Sequence, residues 1–83
     1  MNAFMLARRE LYTLLYQRFT HKDGPYCGKT EIEAYHSEFP LMKAAVLFAD
    51  DLGHLKQNKI GGHRLTAQGI LYAEEQGWTG GEE

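Results

Sequence analysis

The 83 residues include one cysteine, Cys27, and two prolines, Pro25 and Pro40. A single thiol excludes an internal disulfide and fits a reducing cytoplasm, the compartment expected here. No apolar run approaches the roughly 20 residues that a membrane-spanning helix needs, so no membrane partner is expected. The stretch Met1–Arg9 is too short for a secretory signal, and its charge follows the apolar residues instead of preceding them. Excess positive charge is also missing. Nine Lys and Arg against eleven Asp and Glu leave a formal charge of −2, so no global field draws the chain to nucleic acid. What remains is ordinary for a small folded protein: 43% hydrophobic and 24% charged residues, enough for one domain with a modest core.

The means for catalysis are equally thin. His21, Cys27, His36, His54 and His63 form no C-x-x-C or H-x-x-x-H pair, so neither a metal nor a cofactor is expected. Gly28-Lys29-Thr30 has the last letters of a phosphate loop. The first glycine of G-x-x-x-x-G-K-[ST] would fall on Asp23, however, and no strand precedes it. Cys27 beside Lys29 and a helix start has two readings, a redox-responsive thiolate or a small half-buried residue, and the second is adopted. No serine–histidine–acid arrangement stands out, and the chain is short for an enclosed pocket. Enzymatic activity is not expected.

Periodicity predicts a first helix over residues 2–20, with an apolar arc of roughly 200° where one core needs about 100°. Ala7, Leu11, Leu14 and Leu15 suit the core. Met5, Tyr12 and Tyr16 form a second flank, to be covered either by Trp78 and the closing helix or by a second copy. His21–Pro25 is a turn, and Tyr26–Gly28 is a brief strand or loop. A Thr30…Glu33 capping box predicts a short helix from Glu31 to His36. The third helix should run from Pro40 to Leu52 and stop at Gly53. Strands are expected near Leu55–Lys59 and His63–Leu65 across Gly61-Gly62. Thr66 should then cap a helix over Ala67–Gln76 in which Gly69 allows a close approach. Residues 1–78 read as one domain, and 79–83 as a frayed tail.

The run Leu65-Thr66-Ala67-Gln68-Gly69-Ile70-Leu71-Tyr72 carries the pattern L-T-x-x-G-x-x-Y directly after the Gly-Gly hairpin. It resembles the wing and closing helix of the winged helix-turn-helix superfamily, and the order of elements does so over nearly the whole chain. The resemblance implies a mainly α (α+β) fold with three helices, a two- or three-strand wing and a closing C-terminal helix. It further implies that the third helix reads DNA and that Lys56, Asn58, Lys59, His63 and Arg64 lie on or beside the wing.

The residues themselves pull in two directions. On the third helix, Leu41, Ala45, Phe48 and Leu52 share one side and should face the core. The other side shows Met42, Lys43, Val46, Leu47 and Asp50, with Asp51 near the boundary. Only Lys43 there suits a base edge, and the two acids would be repelled by phosphates. Met42, Val46 and Leu47 instead make an apolar patch of the kind that meets protein. The hairpin has three cations and no acid from His54 to Arg64, which fits either a sequence-blind grip on phosphates or lysines that protect strand edges. Arg8, Arg9 and Arg18 would widen the basic patch, and Glu10 would dilute it. His54 and His63 are expected to face each other across the hairpin and to add charge below about pH 6.5.

Two functions stay open. One is a small cytoplasmic DNA-binding regulator that holds duplex weakly and largely non-specifically through Lys43, Lys56, Asn58, Lys59, His63 and Arg64. The other is a protein-interaction or homodimerisation module that uses Met5, Tyr12 and Tyr16 or Met42, Val46 and Leu47.

Overall fold

The computed structural model describes residues 1–80 and sets out six elements in order. These are α1 (Ala3–Phe19), α2 (Lys29–Glu33), α3 (Met42–Asp51), β1 (Leu55–Gln57), β2 (His63–Leu65) and α4 (Ala67–Gln76). The class is mainly α with a small antiparallel sheet, as expected, and the order is compatible with a winged helix.

Side-chain chemistry sets the boundaries. Asn2 Oδ1 accepts the Met5 amide at 2.8 Å and opens α1. Thr66 opens α4 in the same way, its hydroxyl oxygen accepting the Gly69 amide at 3.2 Å. The Thr66 hydroxyl also donates to the Gly53 carbonyl at 2.7 Å, tying the start of α4 to the end of α3. Gly77, at φ +77°, closes α4 in the left-handed region where glycine is favoured.

The start of α2 differs from expectation. Gly28, not Thr30, is the N-cap, and its amide donates to Glu31 Oε1 at 3.0 Å. The other Glu31 oxygen accepts from Arg18 at 2.7 Å. A carboxylate already held by the last turn of α1 therefore fixes the helix start two residues early. The helix ends at Glu33, and turns replace the predicted helix toward His36.

In the sheet, Leu55 pairs with Leu65, Lys56 with Arg64 and Gln57 with His63. Cys27 adds one bridge on the far side of β2, exchanging backbone hydrogen bonds of 2.7 and 2.9 Å with His63. Asn58 Oδ1 holds the connecting turn by accepting from the amides of Ile60 and Gly62 at 3.1 and 2.7 Å.

The core lies where α1 crosses α3 and β2, with α4 closing one side. Ala7, Leu11 and Leu15 are fully buried, and Leu14 is half-buried. The inward face of α3 is not the one its bulky residues suggested. Met42, Ala45 and Ala49 are buried, whereas Leu41, Phe48 and Leu52 are each 41% exposed. Two alanines allow α3 to lie close to α1, and large side chains at those positions would hold the helices apart. Met42 therefore leaves the outward patch and joins the core.

The second flank of α1 is covered within the chain, by α4 and Trp78. The Tyr12 ring is fully buried, with centroids 5.4 Å from Trp78 and 5.5 Å from Tyr72. Its hydroxyl meets His54 Nδ1 at 2.6 Å. Burial pushes the Tyr12 pKa up to about 12, although Arg8 works against it, so the hydroxyl keeps its proton. Burial, then the Arg8 charge, pull the His54 pKa below its ordinary value, so a neutral ring shares this hydrogen bond. Tyr16 donates to Glu74 at 2.7 Å, and Met5 Sδ accepts from Arg8 at 3.5 Å.

Arg8 is only 8% exposed, yet no carboxylate among the described residues pairs with it. Its guanidinium lies 4.8 Å from the Phe48 ring centroid and 5.4 Å from that of Trp78, and it donates to the Tyr72 hydroxyl at 3.0 Å. Ring faces meet this charge. At the C-terminal end, the Gly80 carbonyl accepts from Gln17 at 3.5 Å. Of the tail 79–83 expected to fray, residues 81–83 lie outside the described residues.

Gly69 is the tightest helical contact. A Cβ there would stand 2.5 Å from the His54 carbonyl oxygen and 3.0 Å from Leu65 Cδ2. Gly69→Ala should therefore destabilise by about 1–3 kcal/mol through overpacking, outweighing the gain of up to ~1 kcal/mol from helix propensity. Urea unfolding checks this, and a stabilised variant would refute the close approach.

Candidate binding face of the third helix and hairpin

A groove of about 470 Å³ runs between α2, α3 and β2. Buried Ile32 and Met42 form its base, and Val46, Leu47 and His63 rise along its sides. Lys29, Glu33, His36 and Lys43, all exposed, complete the lining. Leu47 is 67% exposed, so the apolar lining of the groove continues onto the surface. Ile32 owes its position to α2, a short helix in which it is the one apolar residue, so it alone turns inward.

The hairpin borders this groove through its turn. The position of a Gly61 Cβ would lie 3.8 Å from the Lys29 side chain, so the turn rests on the lysine stem. At the tip, Ile60 is 88% exposed. Side chains on the two faces of the sheet do different things, because successive residues alternate. His63 faces α3, and its Nδ1 is buried with no hydrogen-bond partner. Burial lowers its pKa, while Asp50 acts in the opposite direction.

Lys56 and Arg64 share the outer face with Tyr26. Arg64 Nε donates to the Tyr26 hydroxyl at 3.3 Å, and the guanidinium also donates to the Leu65 carbonyl at 3.1 Å. Its charge is thus partly committed within the fold.

The residues singled out for phosphate contact do not converge on one surface. Lys43, Lys56 and Lys59 are exposed and lie outside the ion pairs of the described residues. Asn58 is occupied by the turn, Arg64 by Tyr26 and Leu65, and His63 points to the groove. Arg8 is buried and Arg18 is paired with Glu31, so neither widens a basic patch. Of the apolar patch, Val46 and Leu47 line the groove's side and Met42 its base.

Sequence reasoning missed Lys29, Ile32, Glu33 and His36 as groove residues, and Tyr26 as the partner of Arg64. The lone isoleucine of a polar helix was a usable signal for the groove. Nothing local marked Tyr26, because the Cys27 bridge that places it is made at long range.

One further expectation is corrected, and the adopted reading of Cys27 as a small buried residue holds. His54 and His63 do not face each other: His63 lies opposite Gln57 and Cys27, and the His54 carbonyl accepts from Thr66 at 2.9 Å. Cys27 is fully buried and its pKa is pushed up to about 11, chiefly by burial and further by Glu31, which removes the basis for a reactive thiolate. Among the described residues no three His, Cys, Asp or Glu converge as a metal site, and no helix is long and apolar enough to cross a membrane. No known protein family, curated protein or solved structure matches the chain.

The depressed histidines predict how stability varies with pH. Both stay neutral in the fold at pH values where the unfolded chain, near pKa 6.5, already binds protons. Their contribution is complete above about pH 6.5 and is lost as pH falls below it. Glu31, with its pKa lowered mainly by Arg18, acts only in more acid solution. The urea midpoint should therefore drop between pH 7 and pH 5, less so in His63→Gln. A midpoint constant over that interval would contradict the burial of both rings.

Proposed function

We propose that this chain is a winged helix-turn-helix domain that serves as a protein-binding module. Its groove between α2, α3 and the hairpin takes an apolar side chain of another protein. One observation carries the reading: the side of α3 that a DNA reader would press into a major groove is an apolar groove with Leu47 67% exposed beside it. The winged-helix assignment is supported by the order of elements, by the Cys27 bridge beside β2 and by the Thr66 cap directly after the hairpin. Base readout needs Arg, Asn, Gln or Lys aimed at base edges. The third helix offers only Lys43, with exposed Asp50 and Asp51 nearby. An exposed apolar surface beside polar residues is the usual mark of a protein contact.

A second reading rests on Lys43, Lys56 and Lys59, which are exposed and free of ion pairs among the described residues. Three such cations suffice for weak, salt-sensitive contact with a duplex backbone, whose attraction is independent of sequence.

The two readings separate in two measurements. Anisotropy titration with a generic duplex at about 50 mM salt should show no saturable binding. A photoreactive residue replacing Leu47 should give protein adducts in the native host, and one replacing Gln76 on α4 should not. Duplex binding abolished by Lys56→Glu with Lys59→Glu, in the absence of adducts at position 47, would transfer the function to DNA.

A further inference from the structure

We infer that the occupant of the groove is a short acidic amphipathic segment of a partner protein, with an apolar anchor flanked by carboxylates. The inference rests on the protein-binding reading and specifies its partner.

Size and polarity supply the first half. A groove of about 470 Å³ lies in the range of roughly 300–1,000 Å³ typical of small binding sites, so it takes a few side chains and not a whole helix face. Buried Ile32 and Met42 at its base offer no hydrogen bond, and Leu47 beside them is solvent-exposed. An inserted Leu, Met or Phe would rest on the Ile32 and Met42 floor and cover the exposed Leu47 side chain.

Charge supplies the second half. Lys29 and Lys43 line the groove, exposed and without a carboxylate partner among the described residues. The hairpin turn rests on the Lys29 stem at Gly61. The three arginines Arg8, Arg18 and Arg64 are engaged within the fold, by aromatic rings, by Glu31 and by Tyr26 respectively. Glu33 is the one acid in the lining, and Asp50 acts on His63 from the side of α3. Two unpaired lysines on the lining of an apolar slot, in a chain whose formal charge is −2, favour a partner with acids beside its anchor.

The test uses the full chain and labelled 12-residue probes. One is an amphipathic peptide of Leu, Phe, Glu and Asp. The second carries Lys in place of its acids, and the third carries Ser in place of its apolar residues. The acidic amphipathic probe should bind, with Kd raised at least tenfold by Leu47→Asp and severalfold by Lys43→Glu. The other two should bind at least tenfold more weakly. Leu47 is exposed, so its variant should melt as the parent does, and Lys29→Glu provides an independent check.

Equal or tighter binding of the lysine probe would overturn the acidic partner while leaving the groove as a protein site. Failure of every probe, with position-47 adducts still formed, would do the same. Failure of both probes and adducts would end the protein-binding reading as well. A dimer in sedimentation that Leu47→Asp dissolves would make the occupant a second copy and overturn the inference.

Discussion

The fold depends on one buried contact, the hydrogen bond between the Tyr12 hydroxyl and His54 Nδ1 at 2.6 Å. Tyr12 comes from the middle of α1, and His54 sits on the link between α3 and β1. Around them Tyr72 and Trp78 bring in α4 and the residue beyond its glycine cap. A buried polar pair is costly if either partner is missing, so all three segments must be in place together. Gly69 lets α4 reach the backbone of His54, and the Thr66 hydroxyl on Gly53 fixes the same corner from outside. Once that corner is set, the hairpin has one direction in which to leave, and β2 is delivered to Cys27.

Much of this was legible because it is written in short-range chemistry. Thr66 after a strand, Gly77 after a helix and Gly61-Gly62 between two strands each impose a local conformation that few other residues tolerate. Glu31 was harder to read. Thr30 with Glu33 reads as a capping box, but Glu31, held by Arg18 from α1, accepts the Gly28 amide and sets the helix start instead. The phase of α3 was misread for a different reason. Hydrophobicity favours Leu41, Phe48 and Leu52 beside Ala45 as core residues, but close helix packing keeps only Ala45 of these and adds Met42 and Ala49. Small residues carry little periodic signal, and their importance emerges only when a second helix lies against them.

The candidate site was half legible for related reasons. Val46 and Leu47 were visible as an apolar patch and do line the groove, whereas its other wall comes from α2, whose helix start was misplaced. The cations shown by the sequence as one group divide among the sheet's two faces, a turn and the core. A count of basic residues along a hairpin does not reveal this, because strand alternation and a long-range bridge determine which charges remain free. Lys29, not read as a groove residue in the sequence, packs its stem against the glycine turn of the hairpin.

Trp78 is the sole tryptophan, and it stands 5.4 Å from the Arg8 guanidinium carbon and 5.4 Å from the centre of the Tyr12 ring. The molecule therefore carries its own optical probe at the seam where the last helix seats on the first. A cation over the indole perturbs its excited state, and two tyrosines within 6 Å transfer energy to it. Emission colour and tyrosine-sensitised yield thus monitor docking of the C-terminal segment without any added dye.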